Sequence, residues 1–165
     1  MSEALKLVVF DVDGTLVDSQ GDIVAAMGIA FSQAGMDAPD RAAILGIVGL
    51  SLDVAIPILA PEADAATHGE MVKGYKDAYV SLRSENGAAA SSPLYPHARK
   101  TLQALHRVPE VLLGVATGKS RRGLDKLLDA HDLHRFFVTQ QVSDHHPSKP
   151  HPAMLEAALS ETGVA

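Results

Sequence analysis

The chain has no cysteine, so disulfide frameworks and thiolate metal centres are excluded from the start. It also lacks an excess of basic charge. Lysine and arginine together number 14 against 20 acidic residues, a net charge of −6. No basic stripe with interleaved aromatics is present to neutralise a nucleic-acid backbone, so no nucleic-acid partner is expected. No apolar run approaches the length of a membrane-spanning helix, and the amino terminus has no charged-then-apolar signal pattern. No membrane role is expected, and the expected location is cytoplasmic. The 165 residues suffice for one domain with a real core and a modest insertion.

What the chain does have is concentrated at its start. Leu5 to Phe10 is an apolar run with little alternation, the pattern of a parallel strand covered on both faces. It leads directly into Asp11, Val12, Asp13, Gly14 and Thr15. Two acids at i and i+2 in an extended segment point the same way. A glycine turn behind them places the pair at the carboxyl edge of a sheet, where open α/β folds keep their chemistry.

The rest of the chain divides by pattern. Helical spacing aligns Ile23, Met27, Ala30 and Phe31, then Leu52, Ile56 and Leu59, then Val72, Tyr75, Tyr79 and Leu82. Tyr75 and Tyr79 read as core of that helical segment. Gly87 to Pro93 reads as a linker, and His97 to Val108 as a helix burying Ala98, Leu102 and Leu105. A crossover unit follows: a strand over Val111 to Ala116, a helix from about Ser120 with Leu124, Leu127 and Leu128 inward, and a strand over Phe136 to Thr139. A last helix runs from Pro152 to Thr162. The expected fold class is α/β, a Rossmann-like parallel sheet core, residues 1–15 and 93–165, with an inserted all-helical cap over residues 16–92.

The five residues Asp11 to Thr15 resemble the first signature of the haloacid dehalogenase superfamily of phosphatases and phosphotransferases. Val111 to Ala116 running into Thr117 and Gly118 is similar to its second, and Lys149 within Pro147 to Pro152 to its third. The resemblance implies that Asp11 is the nucleophile of an aspartyl-phosphate mechanism and Asp13 the general acid and base. It implies that Gly14, Thr117, Gly118 and Lys149 meet the phosphate, and that Mg²⁺ is held by the Asp11 carboxylate and the Asp13 backbone carbonyl. Asp13 sets the motif apart from the dehalogenases proper, which lack that second aspartate and need no metal. The expected partner is a small phosphorylated metabolite such as phosphoglycolate. The rivals are a transferase similar to β-phosphoglucomutase and a non-catalytic fragment.

A fourth, acidic signature of the family would follow a further strand beyond Ala165. The expectation is therefore a fragment of a longer phosphatase, without the carboxyl-terminal strands and with impaired Mg²⁺ binding. Leu5 to Phe10 would then be an open edge, a template for self-association. Three further features carry readings of their own. Gly46 to Asp53 resembles the substrate-facing cap loop of the phosphoglycolate phosphatase-like branch, with a plain interhelical loop as the alternative. Lys119, Arg121 and Arg122 read as a solvated helix terminus, with a second anion site as the alternative. His145, His146 and His151 read as solvated loop histidines.

Overall fold

The computed structural model describes residues 4–164. Three parallel strands form the sheet in the order β1-β2-β3. β1 (Lys6–Phe10) runs beside the central β2 (Val111–Ala116), with Lys6 opposite Val111 and Phe10 opposite Val115. β2 in turn pairs with β3 (Thr139–Gln141), Gly114 opposite Thr139. Leu113 and Val115 are buried in the middle strand. They pack in one cluster with Leu102 of α6 (Ala98–His106) and with Leu124 and Leu128 of α7 (Arg121–His131). α8 (Ala153–Thr162) lies against β3 and closes the order of elements.

Between β1 and α6 the chain is entirely helical: α1 (Gln20–Gln33), α2 (Arg41–Gly46), α3 (Leu52–Leu59), α4 (Ala65–Asn86) and α5 (Ala88–Ser91). Local chemistry sets several starts. Asp40 and Asp64 accept the backbone N–H of Ala43 and Thr67, each at 2.8 Å, and so satisfy amides that a helix leaves unpaired at its N-terminus. Ile23, Met27 and Phe31 of α1 form a second buried cluster with Ile44, Ile56 and Met71. The two connections between the halves run side by side. Asp18 N–H donates to the Pro93 carbonyl at 2.8 Å and Tyr95 N–H to the Leu16 carbonyl at 2.9 Å.

Three expectations are corrected. The segment Gly87 to Pro93 is not an unstructured linker: Gly87, at φ +83°, stops α4, and the alanines that follow form the short α5. The last strand lies at Thr139–Gln141 rather than Phe136 to Thr139. Phe136 ends a 3₁₀ turn, where its ring meets His106 edge-on at 5.4 Å, so its apolarity fills the core without forming a strand. β3 carries polar Thr139 and Gln141, buried and hydrogen-bonded to Glu161 and His146, a pattern that apolar periodicity cannot register. On α4 the residues fully packed against α1 are Met71, Gly74 and Ala78, while Val72, Tyr75 and Tyr79 are half-buried on the wall of a cavity. Gly74 lies close to α1, where a Cβ would sit 2.6 Å from Gln33 Oε1 and 3.8 Å from the Ala30 Cα.

Candidate active site

The turn behind β1 separates its residues by face. Val12 is fully buried, and its carbonyl accepts the N–H groups of Leu16 and Val17 at 2.9 and 3.1 Å, which leaves Asp11 and Asp13 on the other side. Asp11 Oδ1 accepts from Val12 N–H at 2.7 Å and pairs with Lys149 Nζ at 3.1 Å. Asp13 Oδ1 accepts from Ser19 Oγ at 2.5 Å and pairs with Lys119 Nζ at 3.0 Å. Each carboxylate thus has its own ammonium. Gly14 takes φ +78°, which favours glycine, and its N–H donates to the Val17 carbonyl at 3.0 Å, which helps to shape the turn.

The end of β2 supplies Thr117 and Gly118. Thr117 is buried; its N–H donates to the Gln141 carbonyl at 3.0 Å, and its Oγ1 accepts from Lys119 N–H at 3.1 Å. Lys149 also donates to the Ala116 carbonyl at 2.9 Å, which fixes its head between β2 and Asp11. The loop from Gly46 to Asp53 closes over this edge. A Cβ on Gly118 would lie 2.6 Å from the Gly49 carbonyl oxygen and 2.7 Å from that of Leu50. At Gly49 itself, φ +100°, a Cβ would be 3.8 Å from Asp11 Oδ2. The loop backbone therefore rests on Gly118 and faces the nucleophile candidate. Ser51 N–H reaches across to Ser148 Oγ at 2.9 Å, beside Lys149.

Lys119 corrects the reading of a solvated cationic terminus. Its side chain is 13% exposed and its ammonium stands 5.0 Å from the centre of the Tyr79 ring. Burial alone would push this ammonium down, but the Asp13 carboxylate and then Tyr79 more than offset that and hold it above the ordinary 10.5. Arg121 is occupied structurally, its N–H on Asp144 Oδ2 at 2.5 Å and its guanidinium on Gln140 at 2.9 Å. Arg122 is exposed and lines the cavity. Of the loop histidines, His146 meets Gln141 Oε1 at 2.8 Å and His151 Nδ1 accepts from Ala153 N–H at 3.2 Å. Ser19 carries no recognisable pattern in the sequence. Lys119 had one signal, its place directly behind Thr117 and Gly118.

Tyr75 also lines the cavity. Burial, then the neighbouring acids Tyr79, Asp13 and Asp22, push its phenol well above 10.0, so it is neutral and able to donate. The cavity has a volume of about 400 Å³ and runs from Asp13, Gly118 and Lys119 into the helical half.

Among the described residues no three His, Cys, Asp or Glu side chains converge as a metal cluster. The donors at the strand end are nonetheless suited to a small hard cation. Mg²⁺ keeps several waters and is commonly bound through one or two carboxylates together with substrate phosphate. Two aspartates and two lysines sum to no net charge, so an incoming phosphate dianion leaves a deficit that a divalent cation offsets.

Comparison with known proteins bears on the family and the fold. The sequence profile described as haloacid dehalogenase-like hydrolase matches residues 8–165. A phosphoglycolate phosphatase of Photobacterium profundum is 29% identical over 171 residues, covering 99% of this chain and 72% of that protein. A probable phosphatase, IndB, of Dickeya dadantii is 34% identical, covering 96% of this chain and 68% of that one. The crystal structure of a predicted phosphoglycolate phosphatase from Haemophilus somnus superposes with a TM-score of 0.80 at 23% identity, over 97% of this chain and 72% of that chain, a likeness of fold.

Proposed function

We propose a mechanism and a substrate class from one premise: this chain belongs to the haloacid dehalogenase-like hydrolase family and is a phosphoric monoester hydrolase of that type. The observation that carries the mechanism is the state of Asp11. One of its oxygens is held by Val12 N–H and Lys149, while the other faces the space below the Gly49 loop.

In this reading Asp11 Oδ2 attacks phosphorus and the alkoxide leaves, giving an aspartyl-phosphate that water then cleaves. Lys149 offsets the charge gathered around Asp11, and Thr117 with the Gly118 amide supports the phosphoryl oxygens. Asp13 takes up a proton from solvent as the phosphate binds, gives it to the leaving oxygen and takes one back from the attacking water. Ser19 and Lys119 hold its carboxyl in place for both steps. Mg²⁺, held by the Asp11 carboxylate and the Asp13 carbonyl, supplies charge neutralisation when bound. The substrate is a small organic phosphomonoester, and phosphoglycolate is the first to try because relatives carry that name. Cations at Lys76, Arg83 and Arg122 line the cavity and favour a dianion in a chain that is otherwise net negative.

The test is hydrolysis of nitrophenyl phosphate with and without Mg²⁺, beside Asp11→Asn. Turnover that depends on the metal and disappears in Asp11→Asn supports the reading. Turnover that survives the substitution rejects Asp11 as nucleophile.

A further inference from the structure

The cavity beside Asp13 and Lys119 is larger than a two-carbon acid requires. Its volume is about 400 Å³. The nine non-hydrogen atoms of phosphoglycolate, at the roughly 30 Å³ that a water molecule occupies in the liquid, would take about 270 Å³. About a third of the space would then be left to water lying against apolar side chains.

The chemistry of that wall points the same way. Ile23, Met27, Val48, Leu52, Val72 and Tyr75 contribute to it, and Met27 is fully buried. Lys119, the cation next to Asp13, is already paired. Lys76 and Arg122, which are exposed, and Arg83, which is half-buried, also line the cavity. A carboxylate seated among the apolar side chains would be desolvated without compensation. An aromatic ring would meet the Tyr75 side chain on this wall, a contact that adds to simple area burial.

We propose that the cavity is a binding site for a bulky, largely apolar organic group, so that the substrate class is phosphate esters of ring-bearing alcohols rather than of small hydroxy acids. The assignment rests on the phosphatase reading above. Catalysis at Asp11 is unchanged; the cavity selects the alcohol that leaves.

The test uses the whole chain with Mg²⁺ present. Phenethyl phosphate and ethyl phosphate have leaving alcohols of similar acidity, so their ratio isolates the ring, and phosphoglycolate represents the small acid. The expected kcat/KM for phenethyl phosphate is about tenfold or more above both others. Val72→Phe, which fills the wall, lowers the phenethyl-to-ethyl ratio by about fivefold, a ratio independent of how much of the variant is folded. Equal or better use of phosphoglycolate overturns the proposal and leaves the phosphatase reading intact. If no ester is hydrolysed in an Asp11-dependent way, the phosphatase reading falls. Calorimetry with the unreactive phenylpropylphosphonate and phosphonopropanoate then decides the proposal separately. Tighter binding of the phenyl compound with a negative heat-capacity change supports it, and tighter binding of phosphonopropanoate overturns it.

Discussion

Lys119 and Lys149 each hold a carboxylate, but they are held differently themselves. Lys149 is about as accessible as Asp11, its side chain 28% exposed, and is fixed by the Ala116 carbonyl. Lys119 is covered by Tyr79, and removing its ammonium leaves Asp13 poorly solvated with only Ser19 as partner. Lys119→Met is therefore expected to lower kcat/KM by about a hundredfold, comparable to loss of one preorganised electrostatic contact, and steady-state kinetics checks it. Lys119→Arg should not restore the rate, because a planar fork does not replace a compact ammonium under an aromatic ring. Because the folded-state pKa of Lys119 is raised, its pairing with Asp13 contributes fully below the ordinary 10.5 and is lost as pH rises through the raised value. Thermal midpoints of the wild type should fall along that alkaline limb, and those of Lys119→Met should fall less. The sequence made Asp11, Asp13 and Lys149 legible because each sits in a recognisable motif. It left Lys119 ambiguous, since a lysine at a helix start reads the same whether solvated or covered, and the cover comes from Tyr79 in a distant segment.

At the scale of elements, the glycines divide by what a methyl group would meet. Gly28 in α1 and Gly69 in α4 face open space, so alanine at either position reduces the freedom of the unfolded chain without a clash. Each substitution is expected to stabilise by about 0.5–1 kcal/mol, measured by chemical denaturation. Gly118 is the opposite case, because the atoms in the way are the backbone carbonyls of Gly49 and Leu50 and cannot rotate aside. Gly118→Ala should force the loop off the strand edge, costing about 1–3 kcal/mol and most of the turnover. Pattern reading was reliable where an element buries one apolar face, as in α1 with Ile23, Met27 and Phe31 and α7 with Leu124 and Leu128. It failed at β3, whose buried side chains are polar and satisfied by α8 and the following loop. It also misplaced the buried face of α4, because the face that packs on α1 contains Gly74 and Ala78, small residues that carry little hydrophobic signal.

The molecule as a whole is two packed clusters joined by two adjacent connections, and the site lies where they face each other. The parallel sheet with a helical insert was readable from pattern, since an apolar run, a long helical stretch and a crossover unit allow few other arrangements. The contact between the halves was not, because it is made by backbone and small polar groups. Two such contacts join the loop before α3 to the strand edge, beside the Tyr79 cover on Lys119: the Gly49 loop on Gly118, and Ser51 N–H on Ser148 Oγ at 2.9 Å. The second ties the start of α3 to the segment that presents Lys149. A hydrogen bond of this kind contributes about 1 kcal/mol net, which corresponds to roughly a fivefold change in the population of the closed form. Ser148→Ala should therefore speed amide exchange over residues 49–53 and raise KM by about that factor. Global stability should change little, since neither cluster loses a packed side chain. Ser148→Thr, which keeps the hydroxyl, should restore slow exchange. Unchanged exchange in Ser148→Ala would show that the Gly118 contact alone holds the loop, leaving closure to the strand edge.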